Sequence, residues 1–420
     1  MMERCVLVYI DLEGEPIFVG RLWSRYQRGR ETASFEYDSA WLSHPWRFAL
    51  EPALSLDMGQ HHTGQDKVIF GSLGDSAPDR WGRILMRRAE KRAAREEERT
   101  ARTLLEIDYL LMVNDEARQG ALRFRESGDG AFLAPANQSN PIPPLVDLPR
   151  LLSASDSVLA DKESDTDLRL LLAPGSSLGG ARPKASVRDR DGHLAFAKFP
   201  HPSDEFQVEA WESLLLTLAE KAGLAVPVHR LERIAGQPVL ILRRFDRTAP
   251  GSRLPFLSAM GMLSASDNEA HSYLEIADSI SRYGARPEED RKELWRRIVF
   301  NVLVSNTDDH LRNHGFLHHP GKGWTLTPAY DLNPVPVEIR PRIRTTMSGL
   351  DDPEASLELA LENASYFGLG PADTQKIISE VAGATKRWRM EARSLGIREA
   401  EIERMASAFE HYDAEKARQL

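Results

Sequence analysis

Three polar residues in the last third of the chain have the types and order that phosphoryl transfer needs. Residues 301–317 read NVLVSNTDDHLRNHGFL, and within them Asp308 precedes Asn313 by five positions. A further aspartate, Asp331, follows Asp308 by 23 positions in the segment LTPAYDL, residues 326–332. One carboxylate can orient the proton of an attacking hydroxyl, while an amide oxygen and a second carboxylate hold Mg2+ against a triphosphate. In that assignment Asp308 is the base and Asn313 and Asp331 are the metal ligands. The plainer alternative is a helix cap, since Asp and Asn in turns cap helices readily. The surroundings argue against it. An apolar strand or helix, residues 298–304, feeds the polar loop, and a strand-like run, residues 324–326, delivers Asp331.

The neighbours read as supporting residues. Asp309 is expected to cap or pair structurally rather than to bind metal, and His310 to orient the loop through hydrogen bonds. Zinc is a rival, because His310, His314, His318 and His319 crowd with Asp308 and Asp309 into twelve residues. The spacing fits no common zinc motif and HEXXH is absent. His318 and His319 precede the turn signal Pro320-Gly321, so both are expected at the surface.

Upstream, residues 175–184 (GSSLGGARPK) form a candidate phosphate loop, with Ser177, Gly179, Gly180 and Lys184 as its nucleotide contacts. Backbone N–H groups in such a turn can crowd a polyphosphate. The Lys-Ser/Thr ending and following helix of a Walker loop are missing, so it reads as a lid ahead of a hairpin. Any flexible turn shares that composition. Lys198, inside the apolar strand LAFAKFP, either snorkels to solvent or meets an anion. A strand lysine of this kind can hold the α- and β-phosphates and pair with a helix glutamate, here Glu205, Glu209 or Glu212. Residues 239–247 (VLILRRFDR) resemble a strand entering a hinge beside adenine, with Arg244 and Phe245 as candidate lining, or else an ordinary core strand.

These residues need a scaffold. Residues 1–23 alternate apolar and polar with a turn at Gly14-Glu15, and residues 79–99 change to helical period. The arginine-dense residues 80–102 read as a solvated helix face laced with i,i+4 ion pairs. Strands are expected over residues 185–190, 193–199, 228–234 and 238–245, with a helix over 206–222 that Gly223 ends. Residues 257–420 are mostly helical by period. The fold class is therefore α+β. Residues 1–126 form a small α+β domain and 127–149 a linker. Residues 150–247 form a β-rich kinase-like lobe and 248–420 a helical lobe carrying the catalytic and metal loops.

Composition narrows the setting. The net charge of −9 disfavours direct nucleic-acid binding through the chain's own surface. The single cysteine, Cys5, cannot form an internal disulfide, which fits a reducing compartment. No apolar run approaches the roughly 20 residues of a membrane span, and the N-terminus lacks a secretory pattern. A cytoplasmic protein without membrane contact is expected.

Taken together, the motifs resemble the HipA family of serine/threonine kinases, the toxin halves of bacterial toxin–antitoxin pairs. The likeness is carried by SSLGGARPKA, AKFP, Trp211-Glu212 followed by LAEKAGL, RRFDR, SYLEIADSI, NTDDHLRNHGFL and LTPAYDL, in that order. Ser76–Gly82, SAPDRWG, looks like the small N-terminal domain that precedes the kinase core in this family. The resemblance implies ATP and Mg2+ as cofactors and a bilobal kinase core. It implies Ser177 as an autophosphorylated loop serine, Lys198 as the nucleotide-binding lysine with Glu212 its partner, and Asp308, Asn313 and Asp331 in the roles given above. Where relatives often carry Gln-Glu before the loop lysine, this chain has Arg182-Pro183. The implied partners are a HipB-like helix-turn-helix antitoxin, DNA through that antitoxin only, and a protein substrate such as an aminoacyl-tRNA synthetase. Two other readings stay open: a small-molecule phosphotransferase, since aminoglycoside kinases share the Asp-to-Asn spacing, and a non-catalytic kinase-like partner of a DNA-binding antitoxin.

Overall fold

The alternating N-terminal residues form three antiparallel strands in the computed structural model: β1 (Met2–Leu12), β2 (Glu15–Gln27) and β3 (Arg30–Tyr37). With β4 (Gln60–His62) and β5 (Leu122–Arg125) they make a five-stranded sheet in the order β4-β3-β2-β1-β5. Every second residue of β1 from Val6 to Leu12 is buried, the period of a sheet with one face on a core. The β1–β2 loop is Glu13-Gly14, one residue earlier than expected, with φ of +56° and +90°. Two positive φ angles in a two-residue loop match the twist of the flanking strands, and glycine takes the second without Cβ strain.

The structure describes residues 2–64, 67–134, 142–172, 182–248, 251–267, 269–336, 345–347 and 356–420. The fold is α+β, as expected, in two compact units. The first comprises Met1–Pro202, Arg243–Ser266 and Leu317–Lys322, and the second Ser203–Leu242, Asp267–Phe316 and Gly323–Leu420. The stretch read as a linker lies inside the first unit, where its later residues enter the helix Leu148–Leu159.

In the first unit the helix Arg80–Glu96 buries Trp81, Leu85, Met86, Glu90 and Ala94 along one face. Its ion pairs differ from those expected. Arg83 binds Glu106, Arg88 binds Glu163 and Asp161, Arg92 binds Asp165, and Glu90 receives Arg99 and Arg102. These pairs reach across to other segments instead of running i,i+4 along the helix, so the charges dock the helix as well as solvate it.

A second correction concerns His318. It is 4% exposed, not at the surface, and its ring stacks on Phe48 with centroids 3.6 Å apart. The turn signal at Pro320-Gly321 marked the end of a strand, Gly315–His319, and said nothing about which face of that strand is covered.

The second unit is mainly helical. Val208–Lys221 is followed by Gly223 at φ +78°, and it packs Trp211 against Trp388 and Phe409. Tyr273–Tyr283 begins with a capping box between Ser272 and Glu275. Pro287–Leu303 starts on proline with Glu288, Glu289 and Asp290 in its first turn, which suits the positive end of the helix dipole. The hairpin β8 (His229–Ile234) and β9 (Gln237–Arg243) keeps the register Leu231↔Leu240. Among the described residues no helix is long and apolar enough to cross a membrane.

Burial, with a smaller contribution from His319, pushes the His318 imidazole down to about 3. An unfolded histidine titrates near 6.5, so between these values the unfolded chain binds a proton that the folded chain refuses. The stabilisation by neutral His318 is complete above about 6.5 and is lost as pH falls, at up to about 1.4 kcal/mol per pH unit. Urea unfolding between about pH 6.5 and pH 5 should show wild type losing on the order of 1–2 kcal/mol more than His318→Gln. Equal losses would show that His318 is not buried as described.

Candidate active site

The apolar run before the Asp308–Asn313 motif is the end of the helix Pro287–Leu303, where Ile298, Val299, Phe300, Val302 and Leu303 are buried. The helix stops in a Schellman turn. Ser305 N donates to the Val302 carbonyl and Asn306 N to the Asn301 carbonyl, with Ser305 at φ +50° where glycine is usual. The chain then runs through residues 306–310 into the 3-10 turn Leu311–Asn313. Thr307 and Asp309 are each 2% exposed, whereas Asp308 between them is exposed. A buried loop thus presents one carboxylate to solvent.

Asn313 is 6% exposed, and its Nδ2 donates to the Asp308 carbonyl at 3.3 Å. That bond turns the amide so that Oδ1, also buried, meets no donor among the described residues. A buried amide oxygen without a donor is the atom a hard cation would satisfy. Asp331 is half-buried at φ +59°, a left-handed conformation that aspartate tolerates better than most residues. Its segment is tied on both sides to the loop that carries Asp308 and Asn313. Tyr330 OH donates to the Arg312 carbonyl at 2.7 Å, Asn333 N to Asn306 Oδ1 at 3.2 Å, and Val335 N to the Ser305 carbonyl at 3.1 Å.

Asp309 pairs structurally, in keeping with the expectation. Its Oδ2 accepts from Tyr273 OH at 2.5 Å, Asn301 Nδ2 at 3.0 Å and His314 Nε2 at 2.8 Å. Burial opposes its charge, but His314 and the Tyr273 hydroxyl outweigh burial and hold the carboxyl below its ordinary range. Burial and then the Asp309 charge drive the Tyr273 phenol well above its usual value, so it stays a donor. Tyr273 and Asn301 were not singled out from sequence; the only signal was a polar amide inside an apolar helix end. His310 is half-buried at the start of the 3-10 turn. No three His, Cys, Asp or Glu side chains converge on a metal-sized site among the described residues. One amide and one carboxylate, those of Asn313 and Asp331, make the sparse kind of set that Mg2+ would complete with water and phosphate.

The remaining candidates lie elsewhere. Ser177, Gly179 and Gly180 fall outside the described residues. In the first unit, β6 (Lys184–Arg188) pairs with β7 (Leu194–Lys198), placing Lys184 directly opposite half-buried Lys198. Opposed residues share a sheet face, so the two lysine side chains leave the sheet on the same side. Asp79 Oδ2 lies 2.5 Å from the buried Lys184 Nζ, while its Oδ1 caps the helix Arg80–Glu96 through Gly82 N. Trp81 Nε1 donates to the Lys184 carbonyl at 3.1 Å. The sequence SAPDRWG therefore anchors the strand that follows the glycine-rich loop.

Arg244 is 2% exposed, forks onto Asp246 and donates to the carbonyls of Ala117 and Arg118. Asp246 also accepts from Arg247 and from Gly120 N. Burial pushes the Arg247 guanidinium down to about 9, with the Arg244 charge adding to the effect. Burial likewise opposes ionisation of Asp246, yet the two arginines overcome it and keep that carboxyl far below the usual range. Phe245 is half-buried with its ring 6.3 Å from Phe256. In the second unit Glu212 is 2% exposed on the helix Val208–Lys221.

The family model described as the HipA-like C-terminal domain matches residues 176–388, just over half of the chain. A Haemophilus influenzae protein named as a candidate kinase is 26% identical over 179 residues, covering 38% of this chain and 52% of that protein. A Sinorhizobium fredii protein, candidate kinase Y4mE, is 25% identical over 181 residues, 37% of this chain and 41% of its own length. The chain thus spans about half the length of the curated relatives it matches. One solved chain, from the Shewanella oneidensis toxin–antitoxin complex of HipA, HipB and operator DNA, matches 99% of this chain and 99% of itself. Its TM-score is 0.67 at 16% identity, which establishes a shared fold.

The Lys184–Asp79 pair is open to a direct test. Asp79→Asn keeps a capping oxygen but removes the carboxylate from a lysine that is 3% exposed. Breaking a buried ion pair costs about 3–5 kcal/mol, so the urea midpoint should fall accordingly. Adding Lys184→Met to Asp79→Asn should recover part of the loss. An unchanged midpoint in Asp79→Asn would show that the pair contributes nothing.

Proposed function

We propose an activity from one premise: this chain belongs to the HipA family. The reading is an ATP- and Mg2+-dependent serine/threonine protein kinase. The observation that carries it is the pairing of Asp308 and Asn313. The loop is buried, the base carboxylate is exposed, and the neighbouring amide uses its nitrogen on the Asp308 carbonyl and keeps its oxygen for a cation.

In this reading the Asp308 carboxylate accepts the proton of a serine or threonine hydroxyl. The hydroxyl oxygen forms a bond to the γ-phosphorus as the bond to the β–γ bridging oxygen breaks, and ADP leaves. Asn313 Oδ1 and the Asp331 carboxylate would hold Mg2+, which supplies charge neutralisation to the phosphates when bound. Lys198 is assigned to the α- and β-phosphates, with Glu212 as its partner. Lys184 and Arg244 serve the nucleotide indirectly, since Asp79 and Asp246 hold their charges in the fold. Ser177 is the proposed autophosphorylation site and Gly179 and Gly180 the backbone cradle. The full-length fold match to a chain crystallised with HipB and operator DNA supports a HipB-like helix-turn-helix partner, through which DNA would be reached. The resemblance adds a cytosolic protein substrate of the aminoacyl-tRNA synthetase class.

Intact mass after incubation with ATP and Mg2+ tests the activity. Asp308→Asn should lower transfer by about 10²–10⁴-fold with nucleotide affinity little changed. Calorimetry should show that Asn313→Ala and Asp331→Ala weaken ATP binding only when Mg2+ is present. Near-wild-type transfer by Asp308→Asn would remove the base assignment, and equal losses with and without Mg2+ would remove the ligand assignment.

Peptide mapping tests the loop. Phosphorylation would add about −1.5 to −2 charge where ATP places its own phosphates. One phosphate is expected on Ser177, absent in Asp308→Asn, and the phosphorylated form should bind ATP more weakly. An active protein with unmodified Ser177 would end the self-inactivation reading and leave the kinase reading standing.

A further inference from the structure

We infer that Asp309 and His314 form a staple that fixes the separation of the proposed base and metal ligand, making both positioning residues. The inference rests on the functional reading above but on different atoms. Asp309 directly follows Asp308, and His314 directly follows Asn313, so the staple has the same five-residue offset as the pair it would hold. His314 Nε2 and Asp309 Oδ2 are 2.8 Å apart, and each residue is 2% exposed. Between them Asn313 N donates to the His310 carbonyl at 2.8 Å, which closes the 3-10 turn.

The staple is anchored from outside the loop. Tyr273 reaches Oδ2 from the first residue of the helix Tyr273–Tyr283, and Asn301 reaches it from the end of Pro287–Leu303. Thr345 Oγ1 donates to the Asp309 carbonyl at 2.9 Å. The Tyr273 and His314 rings stand perpendicular, at 89° with centroids 5.7 Å apart, a contact that limits rotation of the imidazole. A loop that needed only stability could bury apolar side chains at both positions at less cost than a buried ionisable pair. A fixed orientation, by contrast, needs directional bonds, because an error of about 1 Å at a reacting group costs on the order of 100-fold in rate.

The test uses the full chain with Asp309→Asn, His314→Gln and the double variant, assayed well below their melting temperatures. Each single change should lower kcat about tenfold or more and raise the Mg2+ concentration for half-maximal rate several-fold, while nucleotide affinity without Mg2+ stays put. The double variant should be no worse than the poorer single, because both changes break one bond. Amide exchange gives a readout that needs no activity: protection at residues 308–313 should fall in the variants and hold elsewhere. Wild-type Mg2+ dependence in the singles, additive losses in the double, or unchanged exchange at 308–313 would overturn the staple. A wild-type chain that transfers no phosphate would instead sink the kinase reading, with exchange still deciding the staple.

Discussion

A carboxylate withdrawn from water has to be met by donors, and Asp309 is withdrawn almost completely. The uncompensated cost is several kcal/mol, while each hydrogen bond to a charged group returns about 1.5–3 kcal/mol. Three donors are therefore enough to offset it, and two would leave it marginal. Because those donors are Tyr273, Asn301 and His314, the requirement reaches into two helices and the loop itself. Asn301 extends the chain of bonds further: its Oδ1 accepts from Asn306 Nδ2, and Asn306 Oδ1 accepts from the amide of Asn333, two residues past Asp331. The outward stance of Asp308 follows from this, since its immediate neighbours Thr307 and Asp309 are committed to the interior.

The first unit places charge inside for another purpose. Arg244, Asp246 and Arg247 bind one another and the backbone around residues 116–120, so segments distant in sequence are joined by polar bonds. Arg118, fully buried, does likewise with the carbonyls of Ser76, Leu110 and Val113. Planar guanidinium groups suit this task because five fixed donors can meet several carbonyls at once. The charges of RRFDR, whose Arg244 was a candidate adenine-lining residue, and of SAPDRWG are thus engaged in holding the fold. Lys184, paired with Asp79, is held opposite Lys198 on the neighbouring strand.

What could be read from sequence follows the range of the physics involved. Strands β6 to β9 and the helix Val208–Lys221 were legible to within a few residues, because alternation, helical period and Gly223 are local signals. Asp308, Asn313 and Asp331 could be proposed from sequence because the chemistry calls for both residue types and order. Non-local facts were not. Nothing near His318 announces Phe48, about 270 residues earlier, so a turn signal was taken for exposure. The arginines of Arg80–Glu96 offered i,i+4 partners on paper, but their acids arrive from residues 106, 161, 163 and 165. Tyr273 and Asn301 carry no pattern that distinguishes a hub from an ordinary buried polar group.

Backbone strain completes the argument for a single rigid site. Ser305 and Asp331 both adopt left-handed conformations that glycine would take freely, at a cost of order 1 kcal/mol each or more. Such strain persists only where surrounding bonds over-determine the conformation. The two positions share those bonds: Val335 N meets the Ser305 carbonyl, while Asn306, next to Ser305, holds Asn333. A relaxation at either turn would break contacts at the other. The loop bearing Asp308 and Asn313 and the segment bearing Asp331 are thus one mechanical element, stabilised against independent movement. A cation held between an amide and a carboxylate requires that property, because its ligand distances tolerate only tenths of an ångström.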